Sequence, residues 1–258
     1  MRVLIVSNRL PVAAIQDDKG IHLRPSLGSL ASSINSFLKS QEINGSNYLW
    51  FGSAGNISPE NYQNLKQALA QNFLIHIPSK TDQTAEFYDR FCNQTIWPIF
   101  HYFPSKAVYD SENWQSYVEM NESYCNVIKQ ELHPGDLVWI HDFHLMLLPQ
   151  MLRNVAPETK IGFFLNIPFP AFEVFRLLPW SLEILTGLLG SDLIGFHTDG
   201  FLRSFLRCVT RILDYKINNY EIYLPDRRVK TGTFPMGIDF QRLNDSSMQP
   251  DIIGHLDV

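Results

Sequence analysis

Four clusters of polar residues follow short apolar runs in this 258-residue chain. Ser7, Asn8 and Arg9 follow residues 3–6, and His141, Asp142 and His144 follow residues 137–140. Asn166 begins a loop after residues 161–165, and His197 and Thr198 follow residues 192–196. Arg9 carries a guanidinium, which offers a two-pronged donor to a phosphate; its other use is a surface salt bridge. The Asp142 carboxylate can accept hydrogen bonds from sugar hydroxyls, or cap the helix that follows it. Tyr88 and Trp97 present aromatic faces with polar tips, which suit either carbohydrate or a core. His141 and His144 form an H-x-x-H outside any H-E-x-x-H frame, a spacing more often structural than metal-binding.

These clusters need elements to hold them. The runs that end in them read as buried strands, as do residues 48–51 and 73–77. Helical spacing links Leu27, Leu30, Ile34, Phe37 and Leu38, and again Tyr117, Met120, Tyr124, Val127, Ile128 and Leu132. Further helices are predicted over 60–71 (with Ser58 as cap before Pro59), 146–154, 172–178, 181–189 and along Leu202 to Leu213. Residues 86–103 carry apolar side chains on nearly every face and fit no single period, while 220–224 and 229–234 read as a hairpin or two added edge strands. Strands alternating with helices imply right-handed crossovers and an α/β fold: a Rossmann-like, doubly wound, mostly parallel sheet with helices on both faces. In such a sheet ligands bind at the C-terminal ends of the strands, where the four polar clusters stand. Residues 1–240 read as one domain and 241–258 as a linker or frayed tail.

Composition narrows the function. With 45% hydrophobic and 18% charged residues the chain can bury a core. Its 21 Lys and Arg against 26 Asp and Glu, net charge −5, argue against a nucleic-acid binder with a basic face. Three distant cysteines, Cys92, Cys125 and Cys208, fit a reducing cytoplasm and not a disulfide framework. The apolar run at 3–6 is too short for a signal peptide, and nothing reaches the roughly 18 apolar residues of a membrane span. A soluble, cytoplasmic protein is expected. The chain has no G-x-G-x-x-G, no P-loop, no G-x-S-x-G elbow and no Asp-x-Asp pair. If it handles a sugar nucleotide, backbone dipoles and cationic side chains must serve in place of a metal, so no metal or cofactor is expected.

The loops, taken in order, resemble one family. Val3-Leu4-Ile5-Val6-Ser7-Asn8-Arg9-Leu10-Pro11 and Trp50-Phe51-Gly52 are similar to the opening motifs of trehalose-6-phosphate synthases. So are Tyr88 with Phe91-Cys92-Asn93-Gln94-Thr95-Ile96-Trp97-Pro98, and Trp139-Ile140-His141-Asp142-Phe143-His144-Leu145. Phe163-Phe164-Leu165-Asn166-Ile167-Pro168-Phe169-Pro170, Ile194-Gly195-Phe196-His197-Thr198 and Phe234-Pro235-Met236-Gly237-Ile238-Asp239 continue the pattern, over residues 2–239.

The resemblance implies a GT-B fold, two Rossmann-like domains across a cleft, of which this chain matches the N-terminal, acceptor-side one. It implies transfer of glucose from UDP-glucose to glucose 6-phosphate with retention of configuration and without a metal. By that likeness Arg9 and Tyr88 hold the acceptor phosphate, Trp50 and Trp97 shape the acceptor site, and Asp142 accepts from acceptor hydroxyls. Gly28 lets the backbone approach the donor diphosphate, where a Cβ would intrude.

There are departures from the family pattern. Asn166 replaces a histidine that in the family lies beside the transferred glucose, and an amide cannot carry its proton or charge. Ser29 stands in a turn that is usually Gly-Gly-Leu, and Ser53 follows Gly52 where a second tryptophan is common. The nucleotide-sugar domain has no counterpart here, so the isolated chain is expected to be inactive, with that half supplied by a longer protein, by a separate chain or in an oligomer. Two other readings stand beside this one: a related synthase with an acceptor such as glycerol 3-phosphate, and a non-catalytic, regulatory sugar-phosphate-binding protein.

Overall fold

Segments that are apolar on both faces must be covered on both faces, which makes them inner strands of a parallel sheet. The computed structural model describes residues 2–17, 20–26, 28–40, 47–55, 57–78, 85–237, 240 and 244–245. In it the strands are β1 (Val3–Arg9), β2 (Val12–Asp17), β3 (Gly20–Pro25), β4 (Tyr48–Ser53), β5 (Leu74–His76) and β6 (Leu137–His141). They continue as β7 (Lys160–Leu165), β8 (Leu193–Phe196), β9 (Lys216–Asn218), β10 (Glu221–Tyr223) and β11 (Arg228–Thr233). Nine of them form one sheet in the order β5-β4-β1-β6-β7-β8-β11-β10-β9, parallel except where β10 meets its two neighbours. The expected hairpin is β10–β11. β9 and the separate β2–β3 hairpin were not anticipated. The first has only three residues, and the second is mostly half-buried or exposed, so neither leaves a strong period.

The helices are α1 (Ser29–Ser40), α2 (Tyr62–Ala70), α3 (Ala85–Ile96), α4 (Trp97–Phe100) and α5 (Ser111–Glu131). After them come α6 (Leu148–Val155), α7 (Phe172–Phe175), α8 (Ser181–Leu188) and α9 (Asp199–Cys208). Several boundaries differ from the expected ones. Ser58 does not cap α2: its carbonyl closes a 3₁₀ turn over Pro59–Asn61, and α2 starts only at Tyr62. A second 3₁₀ turn, Phe143–Leu145, delays α6 to Leu148, where Pro149 sits in the first turn without disrupting a bond. α5 begins well before its apolar pattern because Asp110 caps it, accepting from the Glu112 and Asn113 amides at 2.8 and 3.0 Å. Leu27, Ile238, Asp239 and most of the expected tail lie outside the described residues.

Strand alternation sorts the apolar side chains into two cores. Leu4 and Val6 of β1 enter the larger one, with α3, α5, α6, α8 and α9, while Ile5 enters the smaller one, under α1 and α2. The three cysteines are free and buried. Among the described residues no helix is long and apolar enough to cross a membrane.

Candidate functional site

Chain direction fixes where a crevice can form. From β1 the chain moves outward to β4 and β5, whereas from β6 it moves the other way to β7 and β8. The loops after the adjacent strands β1 and β6 therefore part, and this switch point is where open α/β sheets take their ligands. Arg9 ends β1, and Asp142 follows β6.

Arg9 reaches this crevice through a bulge. Val6 pairs with Phe51 and Arg9 with Ser53, so β1 spends one residue more than β4 over that interval. An extra residue inverts the alternation of side chains. Without it Arg9 would share the face of Ile5, under α1. With it Leu10 enters the smaller core, and the Arg9 guanidinium lies over the ring of Tyr88, at 4.9 Å, on the opposite face. Arg9 is exposed, and no ion pair to it forms among the described residues, so the salt-bridge alternative finds no partner there. Gly52 makes the bulge possible. A Cβ on it would stand 2.8–2.9 Å from backbone atoms of Ser7, Arg9 and Leu10. Gly52→Ala is expected to cost about 1–3 kcal/mol by overpacking, read as a lower urea midpoint; wild-type stability would show that the loop yields freely.

Tyr88 comes from the segment that resisted assignment, and the winding of α3 explains the difficulty. Over Ala85–Ile96 the helix closes with i→i+5 bonds, which gives more than four residues per turn. At that pitch Tyr88, Asn93 and Trp97, five and four residues apart, share a face; at the ordinary pitch Tyr88 and Trp97 would point apart. Together with Asp142, Phe143 and His144 they line an open hollow of about 500 Å³. Trp97 is 43% exposed and stacks on His101 with ring centres 3.9 Å apart.

The other wall is the turn after β6. Asp142 has φ 76° and ψ 168°, a region nearly reserved for glycine and costing a side-chain residue about 1–3 kcal/mol. Its Oδ1 accepts from the Phe143 amide at 2.9 Å and the Asn166 amide at 3.3 Å. Oδ2 is held 4.0 Å from His144 Nδ1. Burial pushes the Asp142 carboxyl up to about 6, although those two amides pull the other way. Burial, and then the Arg9 cation, pushes His144 down to about 3, so its ring is neutral at physiological pH. That ring lies parallel to Tyr88, 5° between planes and 5.5 Å between centres. Arg9, Tyr88, His144 and Asp142 are thus a continuous array of cation, two aromatic faces and carboxylate.

The remaining candidates sit elsewhere. Trp50 does not line the hollow: it is 1% exposed in the smaller core, and its indole donates to Ser7 Oγ at 2.8 Å. Gly28 precedes α1, exposed, and a Cβ there would meet only Ser26 Oγ at 3.9 Å. Ser29 opens α1. Asn166 touches the site through its backbone, while both polar atoms of its side chain are buried without a partner. His141 packs near Trp139 and His144 against Tyr88, so the two histidines of the H-x-x-H diverge. Sequence reasoning placed Phe143 and His144 at a ligand-binding strand end without assigning either a contact, and it did not single out Asn93. Only knowledge of the wider helical pitch would have placed Asn93 beside Tyr88 and Trp97.

The pattern for glycosyltransferase family 20 matches residues 1–257. A bifunctional trehalose-6-phosphate synthase/phosphatase of Thermoproteus tenax is 42% identical over 259 residues, covering 98% of this chain and 35% of its own length. The N-terminal domain of a Candida albicans trehalose-6-phosphate phosphatase superposes with a TM-score of 0.81 at 31% identity, covering 97% of this chain and 52% of that one. The trehalose-6-phosphate synthase OtsA superposes with a TM-score of 0.80 at 26% identity, with the same coverage. The chain spans about a third of the first relative's length and about half of each solved chain. Its fold is that of the N-terminal, Rossmann-like half of a GT-B glycosyltransferase. By sequence pattern and by fold, the chain belongs to glycosyltransferase family 20, with trehalose-6-phosphate synthases among its relatives.

Proposed function

We propose that the chain is the acceptor-binding half of a trehalose-6-phosphate synthase, an enzyme that transfers glucose from UDP-glucose to glucose 6-phosphate with retention in the cytoplasm. Residues 1–240 form its N-terminal domain, and 241–258 lead onward to the nucleotide-sugar half. The array of Arg9, Tyr88, His144 and Asp142 beside an open hollow carries this reading. It sets a phosphate-seeking cation at one end and a hydroxyl-seeking carboxylate at the other. Trp97, which lines the same hollow, offers an exposed aromatic face for a sugar ring.

Retention without a covalent intermediate requires the acceptor hydroxyl to approach on the face from which UDP departs. Catalysis is then mostly positioning, with charge stabilisation on the leaving phosphate. In this half Arg9 anchors the acceptor phosphate, and Asp142 Oδ2 orients a hydroxyl. Asn166, Gly28 and Ser29 are assigned to the donor side by the family likeness alone. One oriented donor of this kind is commonly worth about 2.7–4 kcal/mol.

Calorimetric titration of the chain is expected to show saturable binding of glucose 6-phosphate. Glucose should bind at least about tenfold more weakly, since it lacks the charged hydrogen bonds. Glycerol 3-phosphate keeps the phosphate but offers Trp97 no ring, and should also bind more weakly; if it bound more tightly, the acceptor would be misassigned. No binding of any of the three would remove the proposal. Asn166, and the likeness to a domain of a protein named as a phosphatase, favour a second reading as a sugar-phosphate-binding protein that transfers nothing. Glucose 6-phosphate-dependent release of UDP from UDP-glucose by the full-length gene product decides between them.

A further inference from the structure

The bulge that re-aims Arg9 leaves Ser7 and Asn8 without register partners on β4 or β6. Buried carbonyls need donors, and these come from α5. The Tyr124 hydroxyl lies 2.9 Å from Asn8 O and 3.2 Å from Ser7 O. From the opposite face Trp50 donates to Ser7 Oγ, which donates on to Arg9 O at 2.7 Å. The loop is fastened on both sides.

The same face of α5 holds the other loop of the site. Tyr117 donates to Phe143 O at 2.8 Å and accepts from the Met146 amide at 3.0 Å. Asn121 donates to His144 O at 3.2 Å and accepts from the Leu148 amide at 3.1 Å. Residues 117, 121 and 124 follow i, i+4, i+7 spacing on the helix, and all three are at most 1% exposed. Read from sequence, the tyrosines belong to a plain apolar stripe. Their hydroxyls, and the Asn121 amide, are polar groups in a core, and burial penalises such groups unless each finds a partner. Apart from the Tyr117 carbonyl, to which Asn121 also donates at 2.9 Å, and the Leu148 amide at the start of α6, their partners lie in the two loops of the hollow. Burial also raises the Tyr124 hydroxyl well above its usual range, so it stays a donor at any physiological pH.

We propose that α5 sets the geometry of the acceptor site: Tyr124 positions the Arg9 loop, and Tyr117 with Asn121 positions the Asp142–His144 turn. One rigid helix thereby dictates the separation of the phosphate-binding cation from the hydroxyl-reading carboxylate. None of the three touches ligand; they are positioning residues. The inference rests on the reading of the hollow proposed above.

Tyr124→Phe keeps the ring and removes the hydroxyl. Its affinity for glucose 6-phosphate is expected to fall about five- to tenfold, the scale of one buried hydrogen bond, while its affinity for glucose, which does not engage Arg9, stays within about twofold. Tyr117→Phe is expected to weaken both ligands by the same factor. Equal loss for both ligands in Tyr124→Phe, or no loss at all, would overturn the assignment. Hydrogen exchange provides an arm that needs no ligand. The Leu10 amide, bonded to Ser53 O at 2.9 Å, should exchange faster in Tyr124→Phe while the amides of residues 3–6 do not change. Unchanged exchange at Leu10 refutes the proposal even if the wild-type chain binds no sugar phosphate, a result that by itself would sink only the reading of the hollow. Should Tyr124→Phe fold poorly, Trp50→Phe removes the fastener on the other face and is expected to show the same selective loss.

Discussion

Arg9→Ala should weaken glucose 6-phosphate binding by about a hundredfold and leave glucose binding within about twofold, since a charged hydrogen-bonding group contributes up to about 3 kcal/mol. The selectivity follows from placement. Arg9 lies over Tyr88 at the rim of the hollow and forms no ion pair among the described residues, so its charge is available to a ligand. It is also exposed, so its removal breaks no internal network and the fold should survive. Arg9→Lys keeps the charge but not the planar fork, and an intermediate loss is expected. Calorimetry with the two ligands in parallel measures this. Equal losses for glucose and glucose 6-phosphate would show that Arg9 supports the shape of the hollow and does not read the phosphate.

Asp142→Asn should have the complementary signature: glucose and glucose 6-phosphate both bind about ten- to hundredfold more weakly, because the lost acceptor serves the hydroxyls they share. The amide oxygen can still accept from the Phe143 and Asn166 amides as Oδ1 does, so the turn is preserved and only the Oδ2 acceptor becomes a donor. Acidity supplies a second readout. The Asp142 carboxyl titrates near 6, so wild-type affinity for glucose should fall as pH drops through 6, while the variant should show no such step. Glucose is the right probe, because a phosphate ester has its own ionisation near 6.

Stability should move the opposite way. A carboxyl whose folded pKa is raised contributes stability below its unfolded value of 3.8, and that contribution is lost as pH rises through about 6. Above pH 7 Asp142→Asn is therefore expected to be more stable than wild type, by up to about 3 kcal/mol. The comparison belongs at that pH because His141 and His144 act with the opposite sign. Both are pushed down to about 3, so they favour unfolding only as the medium falls below the ordinary histidine value of 6.5. Weaker binding together with greater stability is what a strained, buried functional carboxylate should show. A variant that bound normally would leave Asp142 as a cap for the turn and nothing more.

The sequence by itself determined the inner strands of the sheet. The inner strands are apolar on both faces, and that pattern admits only burial between helix layers, so strand positions, class and the row of polar strand ends were legible without coordinates. It also marked Arg9, Tyr88, Trp97 and Asp142 as the residues with chemistry to offer. The tertiary structure decided which of them meet. Strict alternation puts Arg9 under α1; one extra residue in β1, tolerated because Gly52 lacks a Cβ, turns it over Tyr88. The ordinary helical pitch separates Tyr88 from Trp97, and the wider winding of α3 brings them together. Trp50 looked like a wall of the site and is a buried fastener, while Tyr117 and Tyr124 looked like core and hold the loops. A periodic pattern reports how many faces of a segment are buried. It says nothing of a one-residue slip or of a hydroxyl's partner, because those depend on atoms far away along the chain.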